Sequence, residues 1–294
     1  MIVVTTPTGF TGSKLVNDLL AARERVRVIA RDPAKLTAAV RDQVDVVQGS
    51  SNDPAVLGRA LAGAESLFHL VPPFVGAADV TAYYLSFTRP VISAMKSNGV
   101  KRVVTVSALG RRVQVNAGIV SSALKKDIEL EQAGLDVRAL WCPGFMENTL
   151  RSLDSLRAQG TFFGPSRPDL RAPYVATRDI AASAARLLRD RTWSGPGGVA
   201  VLGPEDLSLD DHAHIMSEVL GRPIRYQQVP AEGYKAQLLK YGASEAFAQG
   251  MLDMQAAKDN GLDLSEPRTA ENTTPTSFRE WCTSELKPAF ERAG

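Results

Sequence analysis

The sequence has 294 residues and is nearly neutral, with 34 basic and 32 acidic side chains and a formal charge of +2. Its 44% hydrophobic and 22% charged residues are typical of soluble globular proteins, and its length suggests about two domains. The balanced charge argues against nucleic-acid binding through a basic surface. No run approaches the roughly 18 apolar residues of a membrane span, and the N-terminus lacks the pattern of a secretory signal. We therefore expect a cytoplasmic protein that binds neither membranes nor nucleic acids.

Short β-branched runs alternate with helical patterns through the first half of the chain. Runs typical of strands lie at residues 2–5, 26–30, 44–47, 66–71, 102–107 and 137–141. Between them, the spacing of apolar residues predicts helices over residues 13–23, 34–40, 54–61, 79–97 and 122–132. Strands that alternate with helices form right-handed βαβ units. The sequence therefore predicts an α/β fold with a doubly wound parallel sheet of the Rossmann type.

The regular alternation ends after Pro143, and this divides the chain unequally. A segment rich in Gly and Pro is followed by a helix at 179–188, a strand at 198–202, a helix at 210–220 and a strand at 224–229. We predict a Rossmann domain of residues 1–150 that also recruits about 175–203. Residues 151–294 would then form a smaller, partly helical domain that acts as a lid.

The turn between the first strand and the first helix reads TPTGFTG, residues 6–12. A dinucleotide-binding turn needs glycines so that the backbone can approach the pyrophosphate, which then meets the free N–H groups of the helix. Gly9 and Gly12 fit the expected spacing, and Thr6 takes the place of a first glycine. Two glycines alone also suit an empty βα turn, but the strand before and the helix after favour a bound dinucleotide.

Arg31 follows the second strand directly, where such folds face the adenosine ribose. An acidic residue there would accept from a free 2′-hydroxyl, whereas Arg pairs with a 2′-phosphate. Arg31 thus favours NADP(H) over NAD(H). A solvated Arg before a helix is the alternative, and Asp32 beside it could still reach the ribose.

Ordered motifs along nearly the whole chain resemble the NmrA-like branch of the atypical short-chain dehydrogenases/reductases. They include TPTGFTG at 6–12, VRVIARDPAKL at 26–36, AMKSNGVKRVVTVSALG at 94–110 and AGLDVRALWCPGFMENTL at 133–150. The branch contains one kind of bacterial NADPH:quinone oxidoreductase and the relatives of isoflavone reductase. The resemblance implies a cleft between a Rossmann domain and a small C-terminal domain that binds the substrate.

The resemblance also implies which residues of this chain contact the cofactor. Those expected under the pyrophosphate are Thr6, Thr8, Gly9, Phe10, Thr11 and Gly12. Arg31 would hold the 2′-phosphate, and Ser50 would lie near the adenine. Those expected along the groove and around the nicotinamide are Val71, Pro72, Ser107, Lys125, Pro143, Gly144 and Phe145.

The catalytic candidates are Lys125 and Ser107. The Tyr-x-x-x-Lys motif of typical short-chain dehydrogenases is absent from the sequence, since Ser121 stands four residues before Lys125. Lys125 matches the lysine that related reductases place beside the nicotinamide ribose, and Lys126 would point about 100° away around the helix. Two solvated lysines are the alternative, and Ser107 either hydrogen-bonds the substrate or only ends its strand.

Residues that end or follow the sixth strand are candidates for the substrate side, because ligands bind at the carboxyl edge of such sheets. The candidates are Trp141, Met146, Asn148 and Tyr174. They suit a flat, apolar substrate, although core packing explains Trp141 equally well. His69 is more typical of a core side chain than of a catalytic base. His212 and His214 cannot converge on one ion, so no metal site is expected.

Three functions remain, of which the third is an isomerase or a tailoring reductase within a biosynthetic pathway. The first is an NADPH-dependent oxidoreductase that transfers a hydride to a small quinone, enone or related carbonyl. The second is a regulatory protein of the NmrA type that senses NADP(H) without catalysis, which the missing Tyr motif favours. A homodimer is compatible with each of these functions.

Overall fold

The structure is a computed structural model that describes residues 1–111 and 115–292. Its strands are β1 (Ile2–Thr5), β2 (Val26–Ala30), β3 (Asp45–Gln48), β4 (Ser66–His69), β5 (Arg102–Ala108), β6 (Asp136–Cys142), β7 (Gly144–Phe145), β8 (Thr161–Gly164), β9 (Ala172–Val175), β10 (Pro196–Ala200), β11 (Asp206–Leu207) and β12 (Arg225–Gln228). Its α-helices are α1 (Phe10–Ala21), α2 (Ala38–Arg41), α3 (Pro54–Leu61), α4 (Val80–Ser97), α5 (Ile119–Gln132), α6 (Leu153–Gln159), α7 (Thr177–Arg189), α8 (Leu209–Leu220), α9 (Ala231–Lys240), α10 (Glu245–Asp259), α11 (Phe278–Trp281) and α12 (Lys287–Glu291).

Seven parallel strands form the central sheet, in the order β3-β2-β1-β4-β5-β6-β10. The chain starts in the middle, moves outward to β3, and then crosses to β4 and onward to β10. This reversal of direction at β1 is characteristic of a Rossmann-type sheet. The predicted doubly wound parallel fold is therefore confirmed. The strand expected at residues 198–202 lies at Pro196–Ala200 and pairs with β6 at the sheet edge.

Helices cover both faces of the sheet. On one face α1 and α7 contribute Leu15, Leu19 and Ile180 to the core. On the other face α3 and α4 contribute Leu57 and Val91. A parallel strand with helices on both sides of the sheet is buried on both of its faces. Accordingly β1 is buried at all four positions, and its sequence IVVT begins with three apolar residues.

The chain after β6 builds a second hydrophobic core. Strands β8 and β12 pair in parallel, and β7, β9 and β11 form a three-stranded sheet. Together with α8 and α11 they enclose the fully buried rings of Phe278 and Trp281. Helix α10 packs against α5 so closely that a Cβ on Gly118 would lie 1.9 Å from the carbonyl oxygen of Gly250. The C-terminal segment is thereby in direct backbone contact with the Rossmann sheet's helices.

Within the described residues, no helix is both long and apolar enough to cross a bilayer.

Two histidines are buried, one in each core. His69 ends β4, and His212 lies in α8. The His212 ring stacks on that of Phe278, with ring centres 3.9 Å apart, and is tilted against that of Tyr174, with ring centres 4.3 Å apart. Burial lowers the pKa of both side chains to about 3, and the charge of Lys126 contributes to the shift at His69. Both imidazoles are therefore neutral at pH 7.

Acid is expected to destabilise the fold through these two histidines. In the unfolded chain each imidazole binds a proton below its ordinary pKa of about 6.5, whereas the folded chain excludes that proton until about pH 3. Their contribution to stability is therefore complete above about pH 6.5 and declines as the pH falls toward 3. The expected slope is about 1.4 kcal/mol per pH unit for each histidine, measured by urea unfolding at a series of pH values.

The variants H69L and H212F each remove one titrating ring and should each lower the slope by about 1.4 kcal/mol per pH unit. H214Q is the matched control, because His214 lies on the same helix as His212 with a side chain that is 74% exposed. A slope that H212F leaves unchanged would contradict the neutral, buried state of this histidine.

Candidate functional site

The turn after β1 contains a residue with unusual backbone geometry. Thr6 has a φ of +52°, a region that favours glycine, and its carbonyl oxygen accepts a hydrogen bond from the Gly9 N–H at 3.1 Å. A Cβ at position 12 would lie 2.1 Å from that same oxygen. Gly12 is therefore required for α1 to approach the turn, and Thr6 adopts the conformation of the glycine that it replaces.

The N-terminus of α1 is open to a ligand. Gly9 is its N-cap residue, no side chain accepts the first N–H groups, and the first turn holds no acidic residue. The hydroxyl of Thr6 is buried and has no hydrogen-bond partner within the described part of the chain. Free N–H groups with a positive helix dipole suit an anion such as phosphate. These residues thus fit the pyrophosphate of a dinucleotide.

Thr5 joins this turn to the end of β4. Its hydroxyl donates to the carbonyl of Phe68 at 3.1 Å and accepts from the N–H of Leu70 at 2.9 Å. The carboxyl ends of the two adjacent strands are therefore held together. Val71 and Pro72 follow on from β4, and the hydroxyl of Tyr83 donates to the Pro72 carbonyl at 3.0 Å.

The residues predicted to lie on the adenosine side follow β2 and β3. Arg31 is exposed directly after β2, whereas the Asp32 carboxylate is occupied as a cap that accepts from the Ala34 N–H at 3.1 Å. The Ser50 hydroxyl donates to the Asn52 side chain at 2.6 Å. Of the two charged candidates for the ribose, Arg31 is thus the one without a role in capping.

The two lysines of α5 lie in opposite environments. Lys125 is exposed, and its role beside the nicotinamide remains a prediction. Lys126 is only 1% exposed, and its Nζ donates to the Thr105 hydroxyl and, at 2.8 Å, to the Val106 carbonyl. It also pairs with Asp127 at 2.9 Å.

Sequence reasoning missed Lys126 and Asp127, although helical periodicity contains the signal. Both fall on the stripe that runs from Ala123 to Leu130, with the spacing i, i+3, i+4 and i+7. Such a stripe faces the core, so the two charged residues were candidates for a buried pair. The Ser107 hydroxyl, on the neighbouring β5, donates to Asp127.

Among the substrate candidates, Trp141 and Asn148 remain accessible. Trp141 is partly buried beside Ser107 in the register of β5 and β6, with the Arg111 guanidinium 5.8 Å from its ring centre. Asn148 is exposed. Met146 is buried in the C-terminal core, and the half-buried Tyr174 packs against that core. The substrate role of all four residues stays a prediction. Burial also raises the pKa of Tyr174.

The last group of cofactor candidates follows β6. Pro143 is buried, whereas Gly144 and Phe145 are half-buried in β7. A Cβ on Gly144 would lie 3.0 Å from the Tyr174 ring, so the small residue lets β7 and β9 pair. The structure therefore gives Gly144 a packing role in addition to the predicted one.

Two exposed phenylalanines lie at the carboxyl edge. Phe10 opens α1 and is 57% exposed, and Phe74 follows β4 and is 52% exposed. Phe74 packs against the ring of Tyr83 at 5.4 Å. Sequence reasoning named Phe10 only for the cofactor and missed Phe74, which the carboxyl-end rule would also have selected.

Glu147 is a further residue that the sequence analysis missed. Its buried carboxylate accepts hydrogen bonds from the N–H of Thr177 at 3.0–3.1 Å and from the hydroxyl of that residue. It therefore caps α7, and Lys14 of α1 lies 4.0 Å away. In the part of the chain that is described, no three His, Cys, Asp or Glu side chains form a group that could hold a metal ion.

The arrangement of turn, sheet and C-terminal segment agrees with a family model described as the NmrA-like family, which matches residues 1–282. The chain belongs to this family. The resemblance drawn from the motifs is therefore confirmed.

Several relatives of this NmrA-like protein are named as reductases. The NAD(P)H azoreductase of Xenophilus azovorans is 28% identical over 258 residues, which are 87% of this chain and 86% of that protein. A (4-alkanoyl-5-oxo-2,5-dihydrofuran-3-yl)methyl phosphate reductase of Streptomyces griseus is 29% identical over 292 residues, 96% of each chain. Among solved structures, an Escherichia coli NADPH-dependent quinone oxidoreductase in complex with NADPH has a TM-score of 0.78 at 25% identity, covering 97% of this chain and 99% of that one.

Alanine substitutions at the two turn glycines should separate folding from ligand binding. At Gly9 a Cβ would meet only the Thr6 carbonyl, at 3.5 Å, so G9A should fold with an unchanged melting temperature. Because G9A adds a methyl group where the phosphates approach, it should weaken NADPH binding by about tenfold or more. G12A should lose stability outright, since its Cβ would overlap the backbone.

Thermal unfolding measures the stability of each variant, and fluorescence titration measures its affinity for NADPH. G58A is the control, since Gly58 lies within α3 with open space around it and alanine should add about 1 kcal/mol there. Unchanged NADPH affinity in G9A would argue against a phosphate at this turn.

Proposed function

We propose that this protein is an NADPH-dependent oxidoreductase that transfers a hydride to a small quinone, enone or related conjugated carbonyl. The observation that carries the proposal is the uncapped N-terminus of α1, set beneath a turn whose residues 9 and 12 are glycines. When bound there, NADPH would supply the hydride. The chain itself supplies binding, orientation and a surface for the acceptor.

Arg31 supports NADPH as the preferred cofactor. Arg31 follows β2 and is exposed. The neighbouring carboxylate of Asp32 does not compete with it for the ribose, because that carboxylate caps the next turn. A guanidinium pairs with a phosphate through charge-assisted hydrogen bonds. The quinone oxidoreductase relative was solved with NADPH, which agrees with this assignment.

The acceptor class is inferred from two sources. The relatives' names refer to azo, quinone and dihydrofuranone compounds, whose reducible groups are electron-poor conjugated bonds. In this chain Phe10 and Phe74 expose aromatic rings at the carboxyl edge, and Trp141 lies beside Ser107. Flat, apolar acceptors would stack on such rings.

Protonation of the reduced acceptor is assigned to solvent. Ser121 stands where typical short-chain dehydrogenases have a tyrosine, and an aliphatic hydroxyl is a poor acid at neutral pH. Its oxygen also accepts a hydrogen bond from the Ala117 N–H at 2.9 Å. Lys125, exposed on the same helix face one turn later, is proposed to contribute positive charge to the ligand.

Stopped-flow oxidation of NADPH with a panel of quinones and enones tests the proposed function. We expect acceptor-dependent oxidation of NADPH with at least one conjugated acceptor. Tight NADPH binding without oxidation by any acceptor would contradict an enzyme and support the cofactor-sensing regulator instead. Titration calorimetry with NADP⁺, NADPH, NAD⁺ and NADH measures the affinity of the protein for each of the four cofactors.

The variant R31A should lose the preference for the phosphorylated cofactor. Removing a charge-assisted hydrogen bond should weaken NADPH binding by about 10- to 100-fold and leave NADH binding unchanged. K101A is the matched control, because Lys101 precedes β5 and so lies at the opposite, amino edge of the sheet. Equal weakening of both cofactors in R31A would contradict a 2′-phosphate at Arg31.

A further inference from the structure

A buried ion pair lies beneath the end of β5. Lys126 is 1% exposed and Asp127 is 0% exposed, although both residues carry charge. The Lys126 ammonium donates to the Thr105 hydroxyl and the Val106 carbonyl, and its Nζ lies 2.9 Å from Asp127 Oδ1 as an ion pair. That oxygen has no hydrogen-bond partner among the described residues. Burying such a pair costs free energy, which the ion pair and its hydrogen bonds partly offset. Those hydrogen bonds, from Lys126 to β5 and from Ser107 to Asp127, define the orientation of the two side chains.

The pair determines the direction of a hydrogen bond at Ser107. One carboxylate oxygen of Asp127 faces Lys126, and the other accepts the hydroxyl proton of Ser107. A serine hydroxyl has one proton and two lone pairs. With its proton directed to Asp127, Ser107 can offer only lone pairs to a ligand.

Ser107 is also the member of this group that reaches the ligand side. The register pairs His69, the last residue of β4, with Thr105, so Val106, Ser107 and Ala108 extend past β4 at the carboxyl edge. Ser107 retains 6% exposure, whereas Lys126 and Asp127 are sealed behind it. Contact between the pair and a ligand must therefore pass through Ser107.

We propose that Asp127 and Lys126 are positioning residues that make Ser107 a hydrogen-bond acceptor for the nicotinamide riboside half of the cofactor. This inference rests on the proposed binding of NADPH. The carboxamide and the ribose hydroxyls of that half both carry N–H or O–H donors. Ser107 then does not donate to the oxygen of the acceptor substrate, which is consistent with protonation by solvent.

The variant D127N reverses the direction of this hydrogen bond. The lysine can only donate, so the amide oxygen of the new side chain must face Lys126 and its NH₂ must face Ser107. The Ser107 proton is then released toward the ligand, where it meets another donor. D127E keeps an acceptor for both neighbours and is the conservative variant.

Dissociation constants for NADPH and for adenosine 2′,5′-bisphosphate test the proposal. S107A should weaken NADPH binding by roughly three- to tenfold, the effect of one hydrogen bond. It should leave the bisphosphate unaffected, since that ligand lacks the nicotinamide riboside. D127N should weaken NADPH at least as much as S107A, whereas S107T and D127E should retain most of the affinity.

The double variant S107A/D127N separates positioning from general damage. If Asp127 acts through Ser107, D127N has no further effect on NADPH affinity once Ser107 is alanine, although it still lowers the melting temperature. Equal losses with and without Ser107 would overturn the positioning role.

Should D127N not fold, S107A still tests the contact between Ser107 and the nicotinamide riboside half, because it leaves the ion pair intact. Unchanged NADPH affinity in S107A, or equal weakening of both ligands, would overturn the inference while the wild-type chain still binds NADPH. If the wild-type chain binds neither ligand, the proposed function itself fails.

Discussion

The close contact between Gly12 and the carbonyl of Thr6 is the constraint on which the rest of the architecture depends. Because no side chain fits between them, α1 begins immediately above the end of β1 and directs its free N–H groups at the carboxyl edge. The same placement lets α1 pack beside α7 on one face of the sheet. One backbone contact thus determines both the geometry of the proposed anion site and the position of a distant helix.

The C-terminal segment is attached through α7. Glu147 caps the start of this helix, and Asp179 in its first turn accepts from the N–H and the hydroxyl of Thr276 at 3.1 and 2.9 Å. Carboxylates near a helix N-terminus are stabilised by the helix dipole. The residues that follow β6 and the residues near the C-terminus therefore converge on a helix whose position is set by α1.

The effect of a charged side chain in this protein depends on its local surroundings and not on the net charge of the chain. A net charge of +2 is uninformative about ligands, yet the chain carries an exposed Arg31 after β2 and a buried Lys126–Asp127 pair beneath β5. The first suits a small anion in water, and the second is far too buried to meet a ligand directly. Burial, rather than the number of charges, distinguishes a binding group from a positioning group.

Much of the fold was predictable from the sequence, because its signals are local. Apolar runs that alternate with helical spacing predict a parallel sheet. The turn that contains Gly9 and Gly12, together with Arg31, predicts which edge of the sheet binds the cofactor. Both signals depend only on residues that are close together in the sequence. The orientation of α5 was not predictable in the same way: Lys125 and Lys126 are adjacent, and only packing against β5 decides which one is buried. Likewise Met146 and Tyr174 belong to the C-terminal core because residues far along the chain, such as Phe278, complete it. The sequence by itself therefore determined the sheet, the turn and the family, whereas the tertiary structure decided which side chains are buried and which stay exposed at the carboxyl edge, because that depends on contacts between distant segments.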